Sequence, residues 1–185
     1  IGESDVANSG FFAGYLSNLK ITNGAALYTT TFTPSTTPLT TTSQGATNVQ
    51  LLTCQNNKFI DNSTNNLTIT PNGTPKVATQ NPFQINTGLS YYFDGSTAYL
   101  TTKSINNFVF GTGDFTVECY LYTNTITAAQ NILADWRTAD PQTNPNIYMI
   151  NATIYWRNNG TNTLSGTVPL AAWIHFAVVR RSGTI

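Results

Sequence analysis

The chain of 185 residues reads as an all-β protein, and three observations carry that reading. Helical periodicity is nearly absent. Short apolar runs, alternating or continuous, recur along the chain, bounded by Gly, Pro, Asn or Asp. Turn signals separate them every ten residues or so, the spacing of a sandwich or barrel.

In the first run, Phe12-Ala13-Gly14-Tyr15-Leu16, Phe12 and Leu16 share one face. Leu19 and Ile21 continue one residue out of phase, which is how a β-bulge reads in sequence. Asn23-Gly24 then predicts a hairpin onto Ala26-Leu27-Tyr28. Thr29 to Thr42 holds Pro34 and Pro38 among many threonines, a composition that favours extended, solvated chain over a central strand. The apolar pattern restarts at Val49 to Cys54 and resumes, past a polar turn at Asn56-Asn57, in Phe59-Ile60-Asp61 and Leu67-Thr68-Ile69-Thr70. Tyr91-Tyr92-Phe93 meets a tight turn at Asp94-Gly95, from which Tyr99-Leu100-Thr101 is expected to return. Strands follow at Asp114 to Tyr122 and at Asn131 to Trp136. Ile147 to Ile150 pairs through Asn151-Ala152 with Ile154-Tyr155-Trp156. Trp173 to Arg180 reads as a fully buried strand running into a turn.

Charged residues make up only 9% of the chain and the formal net charge is zero, so no electrostatic footprint for nucleic acid or anionic lipid exists. A 40% hydrophobic and 12% aromatic content exceeds what a disordered Thr/Asn-rich segment carries. The polar surface must therefore be built from Thr, Asn, Ser and Gln, an extracellular or virion style of surface. Cys54 sits in an apolar run, and Cys119 alternates with Phe115, Val117 and Leu121, so both read as buried free thiols. With no CxxC and one His, a zinc site is not supported. No apolar stretch approaches membrane-spanning length. The opening Ile1-Gly2-Glu3-Ser4-Asp5 and the strand close to the end together suggest a piece of a longer protein.

Several blocks, in order, resemble the laminin G-like branch of the concanavalin A-like jelly rolls, most closely the tandem versions in tailed-phage virion proteins. Phe12 to Ile21 with Asn23 to Thr29 resembles the closing hairpin of such a domain. Leu51-Leu52-Thr53-Cys54-Gln55 with Phe59 to Ser63 resembles the opening strands of the next. Tyr92-Phe93-Asp94-Gly95-Ser96 with Tyr99-Leu100, Gly113 to Glu118, and Trp173 to Arg180 resemble its successive core blocks. The resemblance implies a jelly-roll β-sandwich seen as a fragment spanning a repeat junction. Residues 1–40 would be the C-terminal strands of one repeat, 41–46 a linker, and 47–185 the N-terminal part of the next. It also implies a place on the virion surface, in a tail or capsid fibre or a decoration, with other copies of itself or other virion proteins as partners and host surface glycans as ligands. A homo-oligomer is expected. A non-viral secreted or cell-surface adhesion module is the alternative.

Some folds of this type are retaining β-glucanases, which need closely spaced carboxylates on one strand face. Glu3 and Asp5 have that spacing, but Val6-Ala7-Asn8 follows where a further Glu is wanted, so no catalytic residue is assigned. His175 reads as a satisfied core imidazole and Glu118 as an outer-face residue. Trp173 is assigned to the core. Sugar rings stack on exposed aromatic faces while amide side chains bond their hydroxyls. On that chemistry the glycan-binding candidates are Trp136, Tyr148, Tyr155, Trp156, Asn158 and Asn159. No cofactor is expected; Asp94, Asp114, Asp135 and Asp140 are scattered and define no calcium ligand set, although calcium at a loop rim is common in the laminin G-like domains.

Overall fold

The computed structural model describes residues 1–3, 10–83, 88–103, 108–134, 146–158 and 161–185. Its strands are β1 (Ala13–Asn23), β2 (Val49–Thr53), β3 (Ile69–Asn72), β4 (Lys76–Ala78), β5 (Ser90–Asp94) and β6 (Tyr99–Thr102). They continue with β7 (Phe115–Thr123), β8 (Gln130–Ala134), β9 (Asn146–Ile150), β10 (Thr153–Asn158), β11 (Thr161–Thr167) and β12 (Trp173–Arg180). The architecture is an all-β sandwich of antiparallel sheets. One sheet has the order β12-β7-β1-β5-β4, with β2 also on β1; the second has the order β11-β10-β9-β8; β3 and β6 form a separate pair.

β1 is the centre of the large sheet. Its first half pairs with β5, its second half with β2, and its other edge with β7 along most of its length. Strands drawn from residues 13–23 and from 49–180 therefore share one sheet. The predicted bulge is present: the β1–β7 register shifts between Ser17 and Lys20, and Asn18 takes a φ of 54°. The shift keeps Leu16, Leu19 and Ile21 all in the core while turning Lys20 to the opposite face. Asn18 is held there by its own side chain, which accepts from the Leu39 amide at 2.7 Å and donates to Ser17 Oγ at 2.8 Å.

The main core lies between the sheets, where Leu16, Phe93, Phe115 and Leu121 of the large sheet meet Ile132, Met149 and Trp156 of the second. Each large side chain buried there contributes about 1.5–3 kcal/mol. β9 and β10 form the expected hairpin, and Asn151 and Ala152 both have positive φ, 50° and 60°, as a two-residue type I′ turn requires.

Four local expectations are corrected. No hairpin forms at Asn23-Gly24: residues 26–28 are not a strand, and β2, more than twenty residues on, pairs with β1 instead. The reason is β7, whose outward side chains take the segment over. Thr116 Oγ1 accepts from the Leu27 amide and donates to Ala25 O, and Tyr120 OH donates to Ser35 O at 2.6 Å. Phe59-Ile60-Asp61 is a loop, because the Asp61 carboxylate accepts from the amides of Leu52, Ser63 and Leu67 and fixes a turn. Tyr99-Leu100 does not return onto β5; β5 joins β1 and β4 while β6 pairs with β3, so the Asp94 turn carries the chain from one sheet to another. β12 is an edge strand beside β7 and is mostly half-buried, Trp173 included; Val178 alone within it is fully buried.

The Pro- and Thr-rich segment from Gly24 to Asn48 crosses the outer face of the large sheet. Leu39 and Ala46 are buried there with Val49, Leu52, Phe83 and Tyr120 in a second, smaller core. Much of the segment remains solvated as its composition predicts, but its apolar residues anchor it to the sheet.

Candidate functional site

β9 and β10 are joined so that Tyr148 and Tyr155 stand directly opposite each other. Their rings stack at 5.2 Å between centroids and 20° between planes, and both are half-buried on the outer face of the second sheet. Alternation along the strands explains the placement. Ile147, Met149, Ile154 and Trp156 take the core side, which leaves the two tyrosines outward. Tyr148 OH donates to Asn162 Oδ1 at 3.0 Å, and the whole of β11 beside it is exposed. The result is an aromatic pair whose inner faces meet each other, edged by an amide and by the hydroxyls of Thr153 and Ser165, which flank Tyr155 on β10 and β11.

The sequence candidates divide accordingly. Tyr148 and Tyr155 come together. Trp156 is 1% exposed, in the core against Phe115 at 5.4 Å, and presents no face to solvent. Asn158 ends β10, half-buried and by alternation on the Trp156 side of the strand. Trp136 and Asn159 lie outside the described residues, as do Asp5, Asp135 and Asp140. Glu3 is buried ahead of β1 and outside any strand. Asn162 was not foreseen; the signal for it is its position four residues beyond the end of a strand carrying Tyr155.

A second constellation occupies the outer face of the large sheet. Glu118 is fully buried there, covered by the crossing segment. Its Oε1 lies 3.0 Å from Lys20 Nζ, and its Oε2 lies 3.0 Å from His175 Nε2 and accepts from Tyr28 OH at 2.5 Å. The face assignment of Glu118 from sequence is right, but solvent does not reach it. Among the described residues His175 is paired through Nε2 alone, on this outer face and not between the sheets, with Phe32 and Tyr120 rings at 5.6 and 4.8 Å. Burial pushes the Glu118 carboxyl up, but the His175 hydrogen bond, the Lys20 charge and the Tyr28 hydroxyl outweigh it and hold it below the usual glutamate range. The same burial, with the Glu118 hydrogen bond, drives the Tyr28 phenol far above its ordinary value. Both charges were visible in sequence as Leu19-Lys20-Ile21 and Val117-Glu118-Cys119, opposite ions in mid-strand of a chain with so few.

Asp94 is a different kind of carboxylate. It accepts from the Ser96, Thr97 and Ala98 amides at 2.8–2.9 Å and from the Thr74 and Thr97 hydroxyls, so its valences serve the turn. Slight burial raises its pKa and those hydrogen bonds, led by the amides of Thr97 and Ala98, lower it well beyond that. Among the described residues no group of three or more His, Cys, Asp or Glu is placed to hold a metal ion, and no helix is long and apolar enough to cross a membrane. Compared with protein-family models, with curated proteins and with solved structures, the chain matches none.

Proposed function

We propose that this chain is a structural module of a tailed-phage virion, part of a tail or capsid fibre or of a surface decoration, that attaches weakly and multivalently to host surface glycans. The observation that carries the glycan reading is the stacked Tyr148–Tyr155 pair, half-buried on the outer face of the second sheet beside Asn162. Aromatic faces pack against the C–H face of a pyranose, and neighbouring amides and hydroxyls pair with its hydroxyls. A small aromatic pair of this kind gives low affinity at one site, and repetition over copies of the chain raises avidity without new contacts. The order of sequence blocks that resembles laminin G-like jelly rolls supports the virion setting, as does a surface poor in charge and rich in Thr and Asn.

The test is an array of bacterial surface glycans probed with the chain displayed multivalently. Binding that falls at least tenfold in Tyr148→Ala/Tyr155→Ala supports the tyrosine pair as the site, and binding unchanged in that variant refutes it. Immunogold labelling of particles from the source culture checks the setting: gold on fibres or capsids supports it, gold confined to cells or secreted material overturns it.

A further inference from the structure

The buried Lys20–Glu118–His175 chain ends at an open groove of about 430 Å³ on the outer face of the large sheet, remote from the tyrosine pair. Three separate parts of the chain build it: the crossing segment at Pro34 to Thr36, the loop at Pro82 and Phe83, and the sheet itself through Tyr120, Trp173 and His175. We propose that this groove is a second ligand site, one that takes the pyranose ring of an uncharged sugar.

The groove is more than a gap between loops, because its polar floor is fixed from below. The His175 side chain is 3% exposed, and its Nε2 is committed to Glu118, which is in turn fixed by Lys20 and Tyr28 with no exposure of its own. Accepting from Nε2–H, the Glu118 carboxylate commits that nitrogen as a donor, and Nδ1 is the acceptor of the ring's neutral form. Among the described residues Nδ1 has no protein hydrogen bond, and it is the nitrogen left for a ligand. Burying an ion pair under an outer face adds little to stability on its own. Holding one imidazole in a fixed tautomer and orientation is what the arrangement achieves.

The walls name the class of ligand. Tyr120, whose own hydroxyl is occupied by Ser35 O, contributes a ring packed between Phe83 at 5.0 Å and His175. Trp173, half-buried, set against Tyr122 at 5.7 Å and packed on the second core, also lines the groove. Pro34 and Pro82 add apolar lining. No Asp, Glu, Lys or Arg lines the groove, which disfavours an anionic or cationic ligand. Apolar rings with a few fixed polar groups, in a volume of this size, suit a neutral mono- to trisaccharide. The inference rests on the glycan reading for its ligand class alone, since the groove and the tyrosine pair lie on different sheets.

The test is a titration followed by amide and indole resonances, with maltotriose, cellotriose and triacetylchitotriose as probes. The Trp173 indole is assigned by its disappearance in Trp173→Phe. A saturable shift of that indole and of the Ser35 and Thr36 amides by at least one probe is expected, unchanged in Tyr148→Ala/Tyr155→Ala. In Trp173→Ala the affinity read from the Ser35 and Thr36 amides falls at least tenfold. Silence of the Trp173 indole and both amides with all three probes overturns the groove. Shifts confined to the neighbourhood of Tyr148 and Tyr155 overturn it while leaving the tyrosine site standing, and shifts confined to the groove do the reverse.

Discussion

The Glu118 carboxylate lies 3.0 Å from the Lys20 ammonium on the neighbouring strand, and neither side chain has any exposure to solvent. The β1 bulge makes that contact, because without the extra residue Lys20 would point into the apolar core. Removing one ion leaves the other buried and under-compensated, which costs about 3–5 kcal/mol. Lys20→Met and Glu118→Leu are each expected to lose stability in this range. Together they lose less than the sum by more than about 1 kcal/mol. Urea midpoints at constant m measure the cycle, and strict additivity would refute the coupling.

Acid should find the same group. The folded-state pKa of Glu118 is depressed below its unfolded value of about 4.3. The folded protein therefore binds that proton less readily than the unfolded chain, and the stabilisation is complete above the unfolded value and lost as pH falls through the folded one. Asp94 acts with the same sign, but it sits half-buried in a surface turn where solvent screens it, and it adds less. The urea midpoint is expected to be level between pH 7 and about 5 and to drop below about 4. A Glu118→Gln variant should start lower and drop less; an equal drop in both would refute the assignment.

Ala152 occupies the second central position of the β9–β10 turn at a φ of 60°, where a Cβ is strained. Asn-Gly is the favoured pair for this turn. Ala152→Gly is expected to stabilise by about 0.5–1 kcal/mol after the added entropy of the unfolded glycine is subtracted. A lowered melting temperature would show that the turn is of another type.

Gly73 and Gly45 both have positive φ, 65° and 75°, but differ in surroundings. A Cβ at Gly73 would lie 2.0 Å from the Thr97 carbonyl oxygen, whereas one at Gly45 meets nothing within 4 Å. Gly45→Ala should cost about 1 kcal/mol of backbone strain alone. Gly73→Ala should cost about 1–3 kcal/mol more, as β3 and the Asp94 turn are forced apart. Thermal denaturation of the pair separates the two terms, and equal losses would contradict the close approach.

Cys54 and Cys119 are free and fully buried, and burial pushes the Cys119 thiol to about 12 and that of Cys54 higher still. Neither is expected to react with a disulfide reagent in the native state, and both should react once guanidinium unfolds the chain. Rapid modification of either thiol under native conditions would contradict the packing.

What could be read from sequence depended on how local its cause was. The β9–β10 hairpin was legible because Asn151-Ala152 and the alternation around it lie within ten residues. The bulge was legible because Leu16, Leu19 and Ile21 change phase within six. Asn23-Gly24 misled, since a turn signal does not say whether a better partner waits farther along, and Thr116 and Tyr120 supplied one from across the sheet. Tyr148 and Tyr155 were named for their ring chemistry, and Trp156 with them, although a period of two puts adjacent Tyr155 and Trp156 on opposite faces. The groove was beyond reach, because three segments far apart in sequence meet there.

The position of β1 bears on how the molecule is made. Its backbone ladder closes against β7, with Gly14 opposite Thr123 and Asn23 opposite Phe115. A ribosome therefore releases the middle strand of the large sheet about a hundred residues before that strand's principal partner exists. Until then Leu16 and Ile21 travel with one flank of their backbone bare even after β2 and β5 have been made for the other, the state in which nascent chains recruit chaperones or each other. Assembly of this sheet is paced by synthesis of its far end, and crowding of nascent copies is the hazard the fold has to outlast.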